Sequence, residues 1–436
     1  MRRTRGFAGA STPARVTVPH RGLLVLLLAI GAAGNALAQT PADTLPLAEA
    51  VRLARDANPT IQSARLRADA ASERIPQAGA LPDPMLSLAL MNRPVSDFGT
   101  SEPMTMNSIQ LSQRFPWPGK LGYAKERATH VAAAELLDAE EREAQLLARV
   151  KSVYYRLGSA DRALAIMRET RELLRNFLDV SSARYAVGSG LQQDVLQAQI
   201  AIAQMSEDIT VMEQDRVAMA ARLNALLGRD ATVPIGALEL PGPGGPLMPV
   251  DSLVLVAAET RPALAAARER VDAAEAGYRA ARRQLYPDLM VTLGYGQRPQ
   301  YTDFVTLMVG VSVPLFAGSR QLPLRREMEA MRSMEEARER DLYNETFARL
   351  TELRAQAERA RNLSTLYAGS VLPQARAAVE SALSAYRVGR VDYMTLVANE
   401  MTVNRYEIET VRLAAEYHQA LAELEALVGT AVGGDR

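Results

Sequence analysis

Few side chains in this sequence are of the kinds that make or break bonds. The chain has no cysteine and three histidines, which removes thiol nucleophiles, thiolate metal sites and disulfide frameworks. None of the spacings that mark a phosphate-cradling loop, a nucleophile elbow, a zinc-protease helix or a dinucleotide fold occurs. The many carboxylates on helical faces read as solvated positions, so no catalytic residue, cofactor or enzyme activity is expected. Met91, Met104 and Met106 cluster between two strand-like runs, and thioethers suit Cu(I). Methionine is also ordinary filler at apolar positions, and no metal site is assigned there. Once the N-terminal segment is removed only His130 and His418 remain, too few for a histidine metal centre.

The elements that position these residues begin after a targeting segment. Arg2, Arg3, Arg5, Arg15 and Arg21 precede an apolar run from Gly22 to Ala33, and Ala36-Leu37-Ala38 supplies the small-x-small cleavage pattern. The apolar run falls short of the ~20 residues that span a bilayer, so residues 1–38 read as a signal peptide and the mature chain as beginning at Gln39. No cysteine follows to carry a lipid. The full chain balances 50 basic against 50 acidic residues, which argues against a nucleic-acid partner. Losing the five arginines leaves 45 against 50, a net charge of −5.

The remainder is an internal duplication. YAVGSGLQQDVLQAQ (Tyr185 to Gln199) aligns with YRVGRVDYMTLVANE (Tyr386 to Glu400) at a shift of 201, and LNALLG (Leu223 to Gly228) falls on LEALVG (Leu424 to Gly429) at the same shift. Pro82, Asp83, Met85, Leu88, Arg93 and Pro94 recur as Pro287, Asp288, Met290, Leu293, Arg298 and Pro299, shifted by 205. The expected organisation is a first repeat over 39–228, a Pro/Gly-rich linker over 229–250, a second repeat over 251–429 and a tail over 430–436.

Each repeat carries two alternating, strand-like runs, at about 84–94 and 105–116 and at about 288–298 and 303–315. Leu289, Val291, Leu293 and Tyr295 share one face, and so do Val305, Leu307, Val309, Val311 and Val313. Each run has about the 9–11 residues of a tilted transmembrane strand. Two long helices follow each pair, at about 121–187 and 191–228 and at about 319–387 and 391–429. The shorter ones carry a 3-4-3-4 apolar seam, as in Ile202, Met205, Ile209, Met212, Met219, Leu223 and Leu226. Four strands cannot close a membrane barrel, whose smallest forms use about eight. Three chains would supply twelve strands and twelve helical staves, so a homotrimer is expected.

The signal peptide, the duplicated strand pair with its long helical hairpin, and the twin Tyr-x-Val-Gly tips with DVLQAQ after the first resemble the TolC-type outer-membrane efflux factors. The run RFPWPGKLG (Arg114 to Gly122) is similar to the heavy-metal branch of that family. The resemblance implies a mostly α fold with a small β part: a trimeric periplasmic α-barrel of duplicated hairpins beneath a 12-stranded outer-membrane β-barrel. It implies an exit duct in the outer membrane of a Gram-negative cell, extending into the periplasm. The duct would contact outer-membrane lipid, a periplasmic membrane-fusion adaptor and an inner-membrane pump of the RND type, with metal cations as candidate cargo.

The resemblance also points to particular residues. The hairpin tips, Val187, Gly188, Ser189, Gly190 and Leu191 with Val388, Gly389, Arg390 and Val391, would dock the adaptor. The family's entrance links fall on Asp194, Tyr386 and Val391, with Arg390 one residue away as a substitute for the missing arginine. The aspartates that ring the family's aperture correspond to Thr395 and Ala398, which leaves Asp392 and Glu400 as the acids that could form such a ring. A soluble periplasmic coiled-coil structural or adaptor protein is the alternative, and it requires no membrane strands.

Overall fold

The computed structural model describes residues 44–96, 98–430 and 432, so the expected signal peptide lies outside the described residues. The chain divides into Met1–Pro41 and Ala42–Arg436, and every described helix and strand belongs to the second unit. Its first half runs α1 (Leu47–Ala57), α2 (Pro59–Ser72), α3 (Arg74–Gly79), β1 (Met85–Met91), β2 (Met106–Phe115), α4 (Lys120–Ala186) and α5 (Gln192–Leu226). Its second half runs α6 (Val250–Thr260), α7 (Pro262–Arg283), β3 (Asp288–Gln297), β4 (Phe304–Ser312), α8 (Gln321–Leu366), α9 (Leu372–Arg387) and α10 (Tyr393–Val428). A π-helical turn, Tyr367–Val371, joins α8 to α9. It sits just before Pro373, whose missing N–H breaks the regular ladder. At 67 residues α4 is about 100 Å long.

The four strands form one antiparallel sheet in the order β1-β2-β3-β4. Its register sorts the side chains. Leu86, Leu111, Leu293 and Leu307 stand in one cross-strand row, and Leu88, Ile109, Tyr295 and Val305 in the next on the same face. The opposite face has Ser87, Gln110, Gly294 and Thr306 in one row, and Ser112 hydrogen-bonds Thr292 at 2.8 Å in another. The apolar face is bare in the single chain: Leu88 is 77% exposed and Val305 75%. One lipid-compatible face and one polar face are what a barrel wall between bilayer and aqueous lumen requires. β1 and β4 each keep one edge without a partner in this sheet, which leaves both edges free to pair with other chains.

The stacked staves meet end to end at the repeated LNALLG and LEALVG segments. Asn58 caps α2 by accepting from the Thr60 N–H at 2.8 Å, and its amide donates to the Leu226 carbonyl at the end of α5 at 2.8 Å. In the second half Thr260 donates to the Val428 carbonyl in the same way. Gly228 turns the chain at φ 68°, and a β-carbon there would lie 2.8 Å from the Ala57 carbonyl oxygen. Gly228→Ala is therefore expected to cost about 2 kcal/mol, read as a lower thermal midpoint by circular dichroism. Gly245→Ala, with nothing within 4 Å of the added carbon, should leave the midpoint unchanged.

The linker is strapped across the long helices rather than left free. Asp161 accepts from the Leu238 N–H at 3.0 Å, Arg216 donates to the carbonyls of Ile235 and Gly236, and Tyr417 donates to that of Gly245. The buried His418 ring lies 3.1 and 3.0 Å from the Pro241 and Gly242 carbonyls through Nε2. Burial pulls its pKa down, against the opposing effect of those carbonyls, so the neutral ring donates from Nε2. Three buried clusters follow the helices; the one nearest the tips contains Leu174, Phe177, Met205, Ile209, Tyr386, Tyr393 and Leu396.

Candidate functional site

Both helical hairpins reverse in the same way. Gly188 and Gly389 take φ of +74° and +75°, which only glycine adopts readily. The N–H of the following residue then reaches five residues back: Ser189 to the Arg184 carbonyl and Arg390 to that of Ala385, both at 2.9 Å. The turns hold apolar side chains out into solvent, with Val187 77%, Leu191 65% and Val388 69% exposed. Gly188, Ser189, Gly389 and Arg390 are exposed as well, while Gly190 and Val391 are half-buried.

Behind the turns the two hairpins are tied together. The Tyr386 hydroxyl of α9 donates to the Asp194 carboxylate of α5 at 3.2 Å. The Tyr386 ring is buried, and burial together with that carboxylate pushes its pKa up to about 12, so it stays a donor throughout physiological pH. Arg390 makes no ion pair with Asp194 among the described residues. The cation at this place is Arg184 of α4, which sequence reasoning had not singled out. Its guanidinium donates to the Tyr386 carbonyl and, at 3.0 Å, to the Ser189 carbonyl, and it lies 4.7 Å from the centre of the Tyr386 ring. One arginine thus spans the first tip and the second.

The two acids considered for an aperture ring differ in their surroundings. Asp392 is exposed and caps α10, accepting from the Thr395 N–H at 2.8 Å and from the Thr395 hydroxyl. Glu400 is only 4% exposed. Burial, reinforced by Glu407 and Glu169 and opposed by Arg376, pushes its pKa up to about 7. Below it on α10, Asn404 donates to the Thr170 hydroxyl at 2.8 Å, so a polar layer interrupts the apolar seam.

The other residues singled out in the sequence are engaged structurally. Met91 and Met106 are cross-strand partners, and the Met91 sulfur accepts from Ser108 at 3.7 Å. Trp117 stacks on Tyr286 with ring centres 5.4 Å apart, and its backbone N–H donates to the Asp288 carboxylate at 3.0 Å. Lys120 reaches the same carboxylate at 2.7 Å, which fixes the first turn of α4 to the start of β3. His130 lies 2.7 Å from Glu269.

Comparison with known proteins decides the family. The sequence profile of the outer membrane efflux protein family matches residues 50–229 and 253–430, one match in each repeat. The chain belongs to this family. Its members are outer-membrane channels rather than enzymes, and the chain is placed in the outer membrane with a periplasmic extension. Among curated relatives, the fusaric acid resistance protein FusA of Burkholderia cepacia is 29% identical over 281 residues, covering 59% of this chain and 52% of FusA. The chain therefore aligns with about half the length of that relative. The cobalt-zinc-cadmium resistance protein CzcC of Cupriavidus metallidurans is 23% identical over 401 residues, covering 89% of this chain and 91% of CzcC. The outer membrane protein VceC of Vibrio cholerae shares the fold with a TM-score of 0.75 at 18% identity, covering 88% of this chain and 96% of VceC. No described helix is long and apolar enough to cross a membrane.

Proposed function

We propose that three copies of this chain form the exit duct of a tripartite efflux system. The observation that carries this reading is the sheet: one bare apolar face, one polar face, and open edges at β1 and β4. Pairing β4 of each copy with β1 of the next closes twelve strands and hides both edges. A soluble periplasmic protein would leave that apolar face in water.

At the far end, the exposed tips around Val187–Leu191 and Val388–Val391 dock a periplasmic adaptor, which couples the duct to an inner-membrane pump of the RND type. Exposed apolar side chains on rigid turns favour such a contact. Arg184, Tyr386 and Asp194 hold the entrance closed until the adaptor engages. The cargo is divalent metal cations, in line with the near full-length alignment to CzcC and the net charge of −5. A strain lacking the gene should become several-fold more sensitive to cobalt, zinc and cadmium salts. Sensitivity to fusaric acid alone would transfer the cargo to the chemistry named for FusA.

A further inference from the structure

Around α7, with α4 on one side and α8 on the other, the arginines and acids pair off. Arg270 holds Asp138, Glu275 is held by both Arg279 and Arg332, and Arg268 lies 3.8 Å from Glu339. One group stands apart. His130 of α4 meets Glu269 of α7 at 2.7 Å, and the exposed Asp272, one helical turn on from Glu269, has no ion pair or hydrogen bond among the described residues. One ligand atom from each of His130, Glu269 and Asp272 falls within 4.8 Å of the other two.

We propose that His130, Glu269 and Asp272 form a binding site for a divalent transition cation of the zinc or cobalt type. One imidazole nitrogen and two carboxylate oxygens are the donor set such ions accept, with water completing the tetrahedron. Ligand atoms around a tetrahedral ion at ~2.0–2.2 Å stand about 3.4 Å apart, so the three side chains need only small rotations to enclose one. The neighbouring guanidiniums of Arg268 and Arg270 pair with Glu339 and Asp138 rather than with Glu269 or Asp272. Glu269 and Asp272 share a face of α7 because they are three residues apart.

The duplication supplies an independent comparison. The run Ala-Arg-x-Arg-x-Asp-Ala-Ala occurs at Ala64–Ala71 in α2 and again at Ala267–Ala274 in α7. Its arginines and aspartate are kept, but Leu66 stands where Glu269 does. On the long helices Met331 stands where His130 does, at the shift of 201. The two ligand positions other than the aspartate are therefore polar in one setting and apolar in its counterpart. A seam that needed only packing would be served by either.

The site is independent of the cargo reading, because a duct passes ions without retaining them. The test is equilibrium binding to the purified, detergent-solubilised protein, with Zn2+ by calorimetry and Co2+ by its visible absorption, so that it needs no transport assay. One ion per chain is expected, with the intense absorption of four-coordinate cobalt. Asp272→Asn and His130→Gln should each weaken binding ~10-fold or more, whereas Asp69→Asn, the counterpart aspartate in α2, should bind as wild type. Asp272 is exposed, so its variant leaves the fold intact even if the histidine variant does not. The proposal is overturned if wild type shows no saturable binding, if Asp272→Asn binds as wild type, or if Asp69→Asn weakens binding equally.

Discussion

Replacing Arg184 with alanine is expected to raise single-channel conductance in planar bilayers sharply, while secondary structure and oligomeric state stay as in wild type. The guanidinium makes two charge-assisted hydrogen bonds to carbonyls on different hairpins and lies over the Tyr386 ring. Such bonds contribute about 1.5–3 kcal/mol each when buried; here the partly exposed setting reduces the pair to about 2 kcal/mol per chain. Three copies acting together then amount to about 6 kcal/mol, comparable with the roughly 5.5 kcal/mol that turns a 99:1 closed population into 1:99. Tyr386→Phe, which removes only the 3.2 Å bond to Asp194, should open the channel less. A conductance for Arg184→Ala equal to that of wild type would remove the arginine from the gate.

A second large effect concerns Glu400, whose buried carboxyl ionises near pH 7 in the folded chain against 4.5 for the ordinary side chain. Below pH 4.5 both folded and unfolded states hold the proton, and the group is neutral to stability. Between 4.5 and 7 only the unfolded state releases it, so stability falls as pH rises; above 7 the loss is complete, at about 3 kcal/mol. Glu400→Gln keeps the shape and cannot ionise. The variant should match wild type at pH 4 and unfold at a distinctly higher temperature at pH 8. Midpoints that differ by the same amount at both pH values would mean that folding does not raise the pKa of this carboxyl.

The architecture was legible because its signals are periodic and repeated. Alternation marked all four strands, and the glycine-bearing tips recurred at a fixed shift. The change of shift from 205 to 201 is the net of two local changes: Arg298–Asp303, joining β3 to β4, is eight residues shorter than Asn92–Thr105, joining β1 to β2, and residues 313–320 before α8 are four longer than 116–119 before α4. The proposed gate was half legible. Tyr386 and Asp194 were reached through the family resemblance, and they meet. Arg184 was not, because its partner on the other hairpin, Tyr386, lies 202 residues away and an arginine in the last turn of a helix is an ordinary complement to the dipole. A signal did exist in the duplication itself. Tyr185 and Tyr386 correspond, but Arg184 faces Ala385 and Asp194 faces Thr395, so the two copies diverge where the hairpins hold each other. The burial of Glu400 was beyond the sequence, since helix phase depends on which neighbours α10 meets.

The central claim is that three chains close one barrel through the free edges of β1 and β4, and the absence of native cysteine makes it directly testable. Leu88→Cys and Val305→Cys place one thiol on each edge strand, and a short bis-maleimide can bridge them between neighbouring chains in isolated outer membranes. Denaturing electrophoresis of the double variant should show a ladder that stops at three chains, with single variants giving no trimer. A product confined to one chain, or a ladder running past three, would contradict the closed trimer.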